Sequence, residues 1–110
     1  MNSKKKIALV GKGVIESGRF GKMTPTLDDE NCDPQLAVES KEFNDIVYVV
    51  RSEYPILKLY VFWNYEGWKE VSSSLDNIIY PGLREEYNVL REIVKAVNEL
   101  NEIKIKNEDL

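Results

Sequence analysis

Residues 45–71 read DIVYVVRSEYPILKLYVFWNYEGWKEV. Ile46–Arg51 and Ile56–Trp63 are dense in β-branched and aromatic residues, which suit the pleated, half-buried surface of a sheet. Only Ser52–Pro55 separates them, a spacing that predicts an antiparallel hairpin. In the second run Leu57, Leu59, Val61 and Trp63 alternate with Lys58, Tyr60 and Phe62, so the two sets face opposite sides of the sheet. The first set is a core face. The second is too aromatic for ordinary solvent surface, and either the glycine-rich segment upstream or another molecule has to cover it. Asn64–Gly67 has the length and the glycine of a further hairpin loop, which makes Trp68–Val71 the third strand of a meander. Ser72–Ser74 break the pattern, and Ser74 is placed to cap a short helical turn running through Ile79.

Downstream, Leu83, Tyr87, Leu90, Val94 and Val97 recur at spacings of four and three, and Ile93, Leu100 and Ile103 widen the stripe. Arg84, Asn88, Arg91, Lys95 and Glu102 fall on the other side, so the segment is amphipathic at the helical period. The pattern predicts a helix from Pro81 to about Ile103, roughly 34 Å long at 1.5 Å per residue. A helix of that length can cover the sheet and still leave a turn or two for a second chain, so homo-oligomerisation through 81–103 is an expectation. Residues 104–110 are charged and read as a frayed tail.

Upstream the signals are shorter. Lys5–Val10 is a brief apolar run bounded by Gly11 and reads as a first strand, with Val14 and Ile15 as a brief returning strand across a Gly-Lys-Gly turn. Residues up to Asp33 read as loop. Asp33-Pro34 is a helix-start signature, because aspartate accepts from unpaired amides and proline is preset for the first turn. Leu36, Ser40 and Phe43 then share one side of a short helix over 34–43. The expected architecture is α+β: an antiparallel β-meander, with a short N-terminal strand or hairpin, packed against a long C-terminal helix and one short helix. With 110 residues, one domain spanning 1–110 is expected, and no internal repeat divides it.

The chain is 43% hydrophobic and 31% charged, with a net charge of −4, an ordinary globular composition. No apolar run reaches the roughly 18 residues of a membrane span, since Arg51, Glu53 and Pro55 interrupt the longest candidate. Lys4–Lys6 are followed by too few apolar residues for a secretory h-region. One cysteine, Cys32, precludes an internal disulfide and fits a reducing compartment. A cytoplasmic, membrane-free protein is the expectation. The acidic balance and the lack of a basic stripe argue against nucleic-acid binding.

The chain contains no histidine, which removes Ser-His-Asp and Cys-His catalysis and histidine-containing zinc sites. Four acids around Cys32 oppose the thiolate form that a nucleophile needs. Asp29, Asn31 and Asp33 match the start of a calcium loop, but Pro34 replaces its glycine and Ser40 its bidentate glutamate, so a solvated acidic loop is the better reading. No metal or cofactor is expected. Gly11-Lys12-Gly13 and Gly18-Arg19-Phe20-Gly21-Lys22 are neither a Walker A loop nor a dinucleotide fingerprint. Small residues beside Lys12, Arg19 and Lys22 still suit an anion, although turn geometry accounts for the glycines without one.

Aromatic residues are the remaining constellation. Tyr60 and Phe62 are candidates for a ligand-stacking surface, and Tyr65 and Trp68, in or beside the second hairpin loop, are candidates for partner contact. Together these features give a compact acidic domain without a catalytic set, the profile of a non-enzymatic inhibitor, immunity or anti-defence protein that occupies a partner's surface. The alternative is a small-molecule binder that holds a nucleotide-like or phosphorylated ligand between Lys12, Arg19, Lys22 and the aromatic pair Tyr60 and Phe62. A metal-dependent phosphodiesterase is the weaker third reading.

Overall fold

A computed structural model describes residues 3–26, 34–53, 55–64, 67–71 and 81–108. It is an α+β protein in which two helices pack on one face of a five-stranded antiparallel sheet. In chain order these are α1 (Ser3–Ser17), β1 (Phe20–Thr26), β2 (Gln35–Ser40), β3 (Ile46–Glu53), β4 (Ile56–Trp63), β5 (Lys69–Glu70) and α2 (Pro81–Glu108). The strands lie in the order β1-β2-β3-β4-β5, so every neighbour in the sheet is a neighbour in sequence.

The hairpin read from residues 46–63 is present, with Glu53 opposite Ile56 and Ile46 opposite Trp63. Its alternation sorts as expected: Leu57 and Val61 are buried with Tyr48 and Val50, while Lys58 is exposed. β5 is shorter than expected, pairing only Lys69 with Trp63 and Glu70 with Phe62. α2 begins at Pro81 as the periodicity indicates and runs on to Glu108, past the exit expected near Ile103. Leu83, Leu90, Val94 and Val97 are buried from it. The short helical turn expected over 74–79 lies outside the described residues.

Three upstream expectations are overturned. Residues 5–10 and 14–15 are not strands but part of α1, because Ile7, Val10 and Val14 recur at three and four and bury one helical face against the sheet. The glycines that looked like turns are the contact points of that helix. A Cβ on Gly13 would lie 2.9 Å from Ile93 Cγ2 of α2, so its absence lets the two helices close on each other. The chain turns at Gly18, which has φ +64 and so caps α1 in a conformation that side chains resist.

Residues 35–40, expected as helix, form β2. Leu36, Val38 and Ser40 are buried while Glu39 is exposed, a period of two that pairing with β1 and β3 enforces over the local Asp-Pro helix signal. Residues 20–26, expected as loop, form the edge strand β1, in which Phe20 and Met23 lean on the core. Its register shifts between Phe20 and Met23, and Pro25 sits opposite Leu36. Proline is tolerated there because an edge strand has one unpaired side.

Candidate functional site

Cross-strand partners share a face of a sheet, so the register defines both faces. The inner face carries Leu36, Val38, Ile46, Tyr48, Val50, Leu57 and Val61 under the helices. The outer face carries Gln35, Arg51 and Lys58 in one row, Ala37, Val49 and Tyr60 in the next, and Glu39, Val47, Phe62 and Glu70 in a third. Ala37, Val47, Val49, Tyr60 and Phe62 are all half-buried on this face, opposite the described helices. The aromatic second face expected from the sequence therefore exists. Of the glycine-rich segment, one of the two candidates to cover it, residues 11–17 belong to α1 on the opposite side and residues 20–26 form β1 within the sheet.

Polar contacts trim this surface. The rings of Tyr60 and Phe62 stand 6.5 Å apart at an interplanar angle of 39°. The Tyr60 hydroxyl donates to Glu53 Oε2 at 2.8 Å, and Lys58 Nζ lies 3.9 Å from the same oxygen. That hydrogen bond to Glu53 holds the Tyr60 hydroxyl above its ordinary pKa, with desolvation adding to it. The tyrosine oxygen is thereby already engaged, which leaves the ring as its contact surface.

The remaining predicted site residues are placed apart from this face. Lys12 projects from α1 into solvent, 3.8 Å from Glu16, and rims an apolar cleft of about 450 Å³ between α1 and β1. Arg19 points toward α2, where Nη1 donates to Glu85 Oε1 at 3.1 Å, and it rims a different cleft with Lys41, Glu42 and Glu85. Lys22 is exposed on β1 and lines neither. The three cations do not converge, and Lys12 and Arg19 stand on the helical side of the sheet from Tyr60 and Phe62. Trp68 is half exposed with φ 58, directly after Gly67 at φ 90. Tyr65 lies outside the described residues, as do Asp28, Asp29, Glu30, Cys32 and Asp33. Among the described residues no three metal-capable side chains come together.

Sequence reasoning missed one further cluster. Glu86, only 5% exposed, projects from α2 beneath the β2–β3 turn. Its Oε1 accepts the hydroxyls of Ser40 at 2.6 Å and Tyr48 at 2.8 Å, and its Oε2 accepts the Lys41 amide at 3.0 Å. Burial, followed by the hydrogen bond to Glu86, drives the Tyr48 hydroxyl far above its ordinary pKa. With both oxygens engaged by three donors, this buried side chain braces α2 against the sheet. The available signal was its position, three residues after Leu83 and four before Leu90, inside the apolar stripe.

Comparison with protein-family models, with curated proteins and with solved structures finds no match to this chain. Among the described residues no helix is long and apolar enough to cross a membrane.

Proposed function

We propose that this chain is a non-enzymatic binding protein whose working surface is the outer face of its sheet. One observation carries the reading: Val47, Val49, Tyr60 and Phe62 form a continuous apolar and aromatic patch on the face opposite both helices. Apolar patches rimmed by charge mark contact surfaces on soluble proteins, and tyrosine and phenylalanine supply area at low entropic cost. The want of histidine, and the enclosure of Glu86 by three donors, fit a protein that acts by contact. An inhibitor or immunity protein that occupies a partner and a chain that occupies its own copy both fall within this mode.

The test is a photo-activated cross-linking residue introduced at Val49 in the cells that express the protein. A cross-link to a polypeptide at Val49, absent when the same residue replaces the exposed Lys95 on α2, is the expected result. Equal labelling at the two positions, or none, removes the outer face as the working surface.

A further inference from the structure

We infer that the polypeptide occupying the outer sheet face is a second copy of this chain, stacked face to face with its strands antiparallel to those of the first. The inference rests on the contact-surface reading above and adds to it the identity of the partner.

Charge distribution selects both the partner and its orientation. Arg51 stands at one end of the patch beside Lys58, which lies 3.9 Å from Glu53 of its own chain, Glu39 and Glu70 stand in the row at the other end, and Ala37, Val49 and Tyr60 lie between them. A two-fold axis running along the strands would set each row on itself, bringing Arg51 against Arg51. An axis running across the strands instead lays the cationic row of one copy over the acidic row of the other, each strand above its own counterpart. Arg51 then lies one strand away from Glu39 of the other copy, and this pair carries the complementarity, because Lys58, one strand away from Glu70, is already shared with Glu53 of its own chain. That lateral offset is about 4.8 Å between sheets about 10 Å apart, within reach of arginine and lysine side chains. Val49 and Tyr60 meet their own counterparts near the axis, and the Lys58 stem crosses the Phe62 ring. The face is thus complementary to itself in one orientation and repulsive in the other, which is how charge fixes register at an interface.

The sheet edges point the same way. On β4, Asn98 of α2 accepts the Leu57 amide at 3.0 Å and donates to the Leu57 carbonyl at 3.1 Å, filling the positions an added strand would use. Farther along, the Val61 carbonyl accepts Val71 N–H at 2.8 Å. On the other edge, β1 carries the register shift and Pro25. Such devices oppose edge-to-edge pairing and leave the face as the surface for association. Four strands at about 4.8 Å and six residues at about 3.3 Å give a flat footprint of roughly 400 Å². Counting both copies and the relief of the side chains, about 1,000 Å² is buried, near the lower bound for a specific interface. An interface of that size makes a weak, reversible dimer.

Sedimentation velocity on the purified chain over a wide range of concentration tests the inference. The expected result is a shift from one mass of 12.7 kDa to twice that mass, abolished by Val49→Glu with the circular dichroism spectrum retained. Arg51→Glu alone weakens the dimer about tenfold, and adding Glu39→Arg in the same chain restores it to within about threefold. Within one chain those positions are separated by four residues along the strands, about 13 Å, so recovery reports contact between copies. A single species at all concentrations, a dimer indifferent to Val49→Glu, or failure of Glu39→Arg to rescue Arg51→Glu overturns the inference. Capture of a different protein at Val49 by the cross-linker also overturns self-association while leaving the contact-surface reading standing; capture of nothing removes both.

Discussion

Ser40 of β2 donates its hydroxyl to Glu86 of α2 at 2.6 Å, a buried hydrogen bond across 46 residues of sequence. The same oxygen of Ser40 accepts the Phe43 amide at 3.0 Å, so one side chain closes the β2–β3 turn and ties it to the helix above. Tyr48, fully buried, delivers its hydroxyl to the same carboxylate oxygen and sets its ring edge-on to Phe20 at 5.8 Å. The polar brace and the aromatic core are therefore one structure. It holds the inner side of the sheet rigid beneath the outer face.

That brace predicts an unequal response to substitution. Glu86→Gln keeps the shape of the side chain but turns one acceptor into a donor, so either the Lys41 amide or the hydroxyl pair faces an N–H. Leaving a buried donor unpaired costs about 1–3 kcal/mol, and the urea midpoint is expected to fall by the corresponding amount. Glu86→Leu strands all three donors and loses more. Parent-like stability of Glu86→Gln would show that the brace carries no load.

Alkaline pH is the condition that separates Tyr48 from the rest. Its hydroxyl binds the proton more tightly in the folded chain than in the unfolded one. The associated stability is whole below the ordinary tyrosine value near 10 and is lost as pH rises above it, by up to about 1.4 kcal/mol per pH unit. Unfolding free energies of the parent and Tyr48→Phe, measured by urea between about pH 8 and pH 11, should run parallel at first and converge above the ordinary tyrosine value. Tyr60, also shifted upward, is common to both proteins and cancels. Curves that stay parallel throughout contradict the assignment.

Two glycines in α1 should answer oppositely to alanine. A Cβ on Gly11 meets only the flexible end of Met23, at 3.4 Å from Sδ and Cε, whereas one on Gly13 meets Ile93 Cγ2 at 2.9 Å. Gly11→Ala is expected to gain up to about 1 kcal/mol from helix propensity. Gly13→Ala should lose about 1–2 kcal/mol net, because overpacking at the α1–α2 contact outweighs the same gain. Thermal melts of the two variants, run side by side, decide it; a stabilised Gly13→Ala would mean that the helices are not in contact there.

How legible the fold was depended on whether burial and local pattern agreed. The β3–β4 hairpin and α2 were readable because their apolar residues repeat at two and at three to four over enough length to exclude the alternative. α1 was not, since Ile7–Val10 is contiguous and the glycines that follow mimic a turn; only Val14, at helical spacing beyond them, hints at the helix. β2 was hidden by Asp33-Pro34, a true local signal overridden by pairing on both sides. The outer face was legible in β4 alone, from Tyr60 and Phe62. Its charge rows were not, because Glu39, Arg51 and Glu70 are brought into one plane by register, which the order of residues does not contain.

Asn98 gives the sharpest check on the edge of that sheet. Its side-chain amide satisfies both backbone groups of Leu57, which in an antiparallel ladder point away from β3 while those of Lys58 point toward it. Asn98→Ala frees the pair and should cost about 1–2 kcal/mol. In hydrogen exchange followed by NMR, the Leu57 amide should lose protection by about tenfold or more beyond the change in global stability, while Lys58 follows global stability alone. Asn98→Asp retains the acceptor and sets a carboxylate oxygen against the Leu57 carbonyl. The amide should stay protected while the protein is destabilised, by an amount similar to the alanine variant. Asn98→Ala should also bring irreversible association at high concentration, since the β4 edge is then open to another strand, and this should persist in a chain carrying Val49→Glu. Unchanged protection at Leu57 in Asn98→Ala would mean that the amide is held by something other than Asn98.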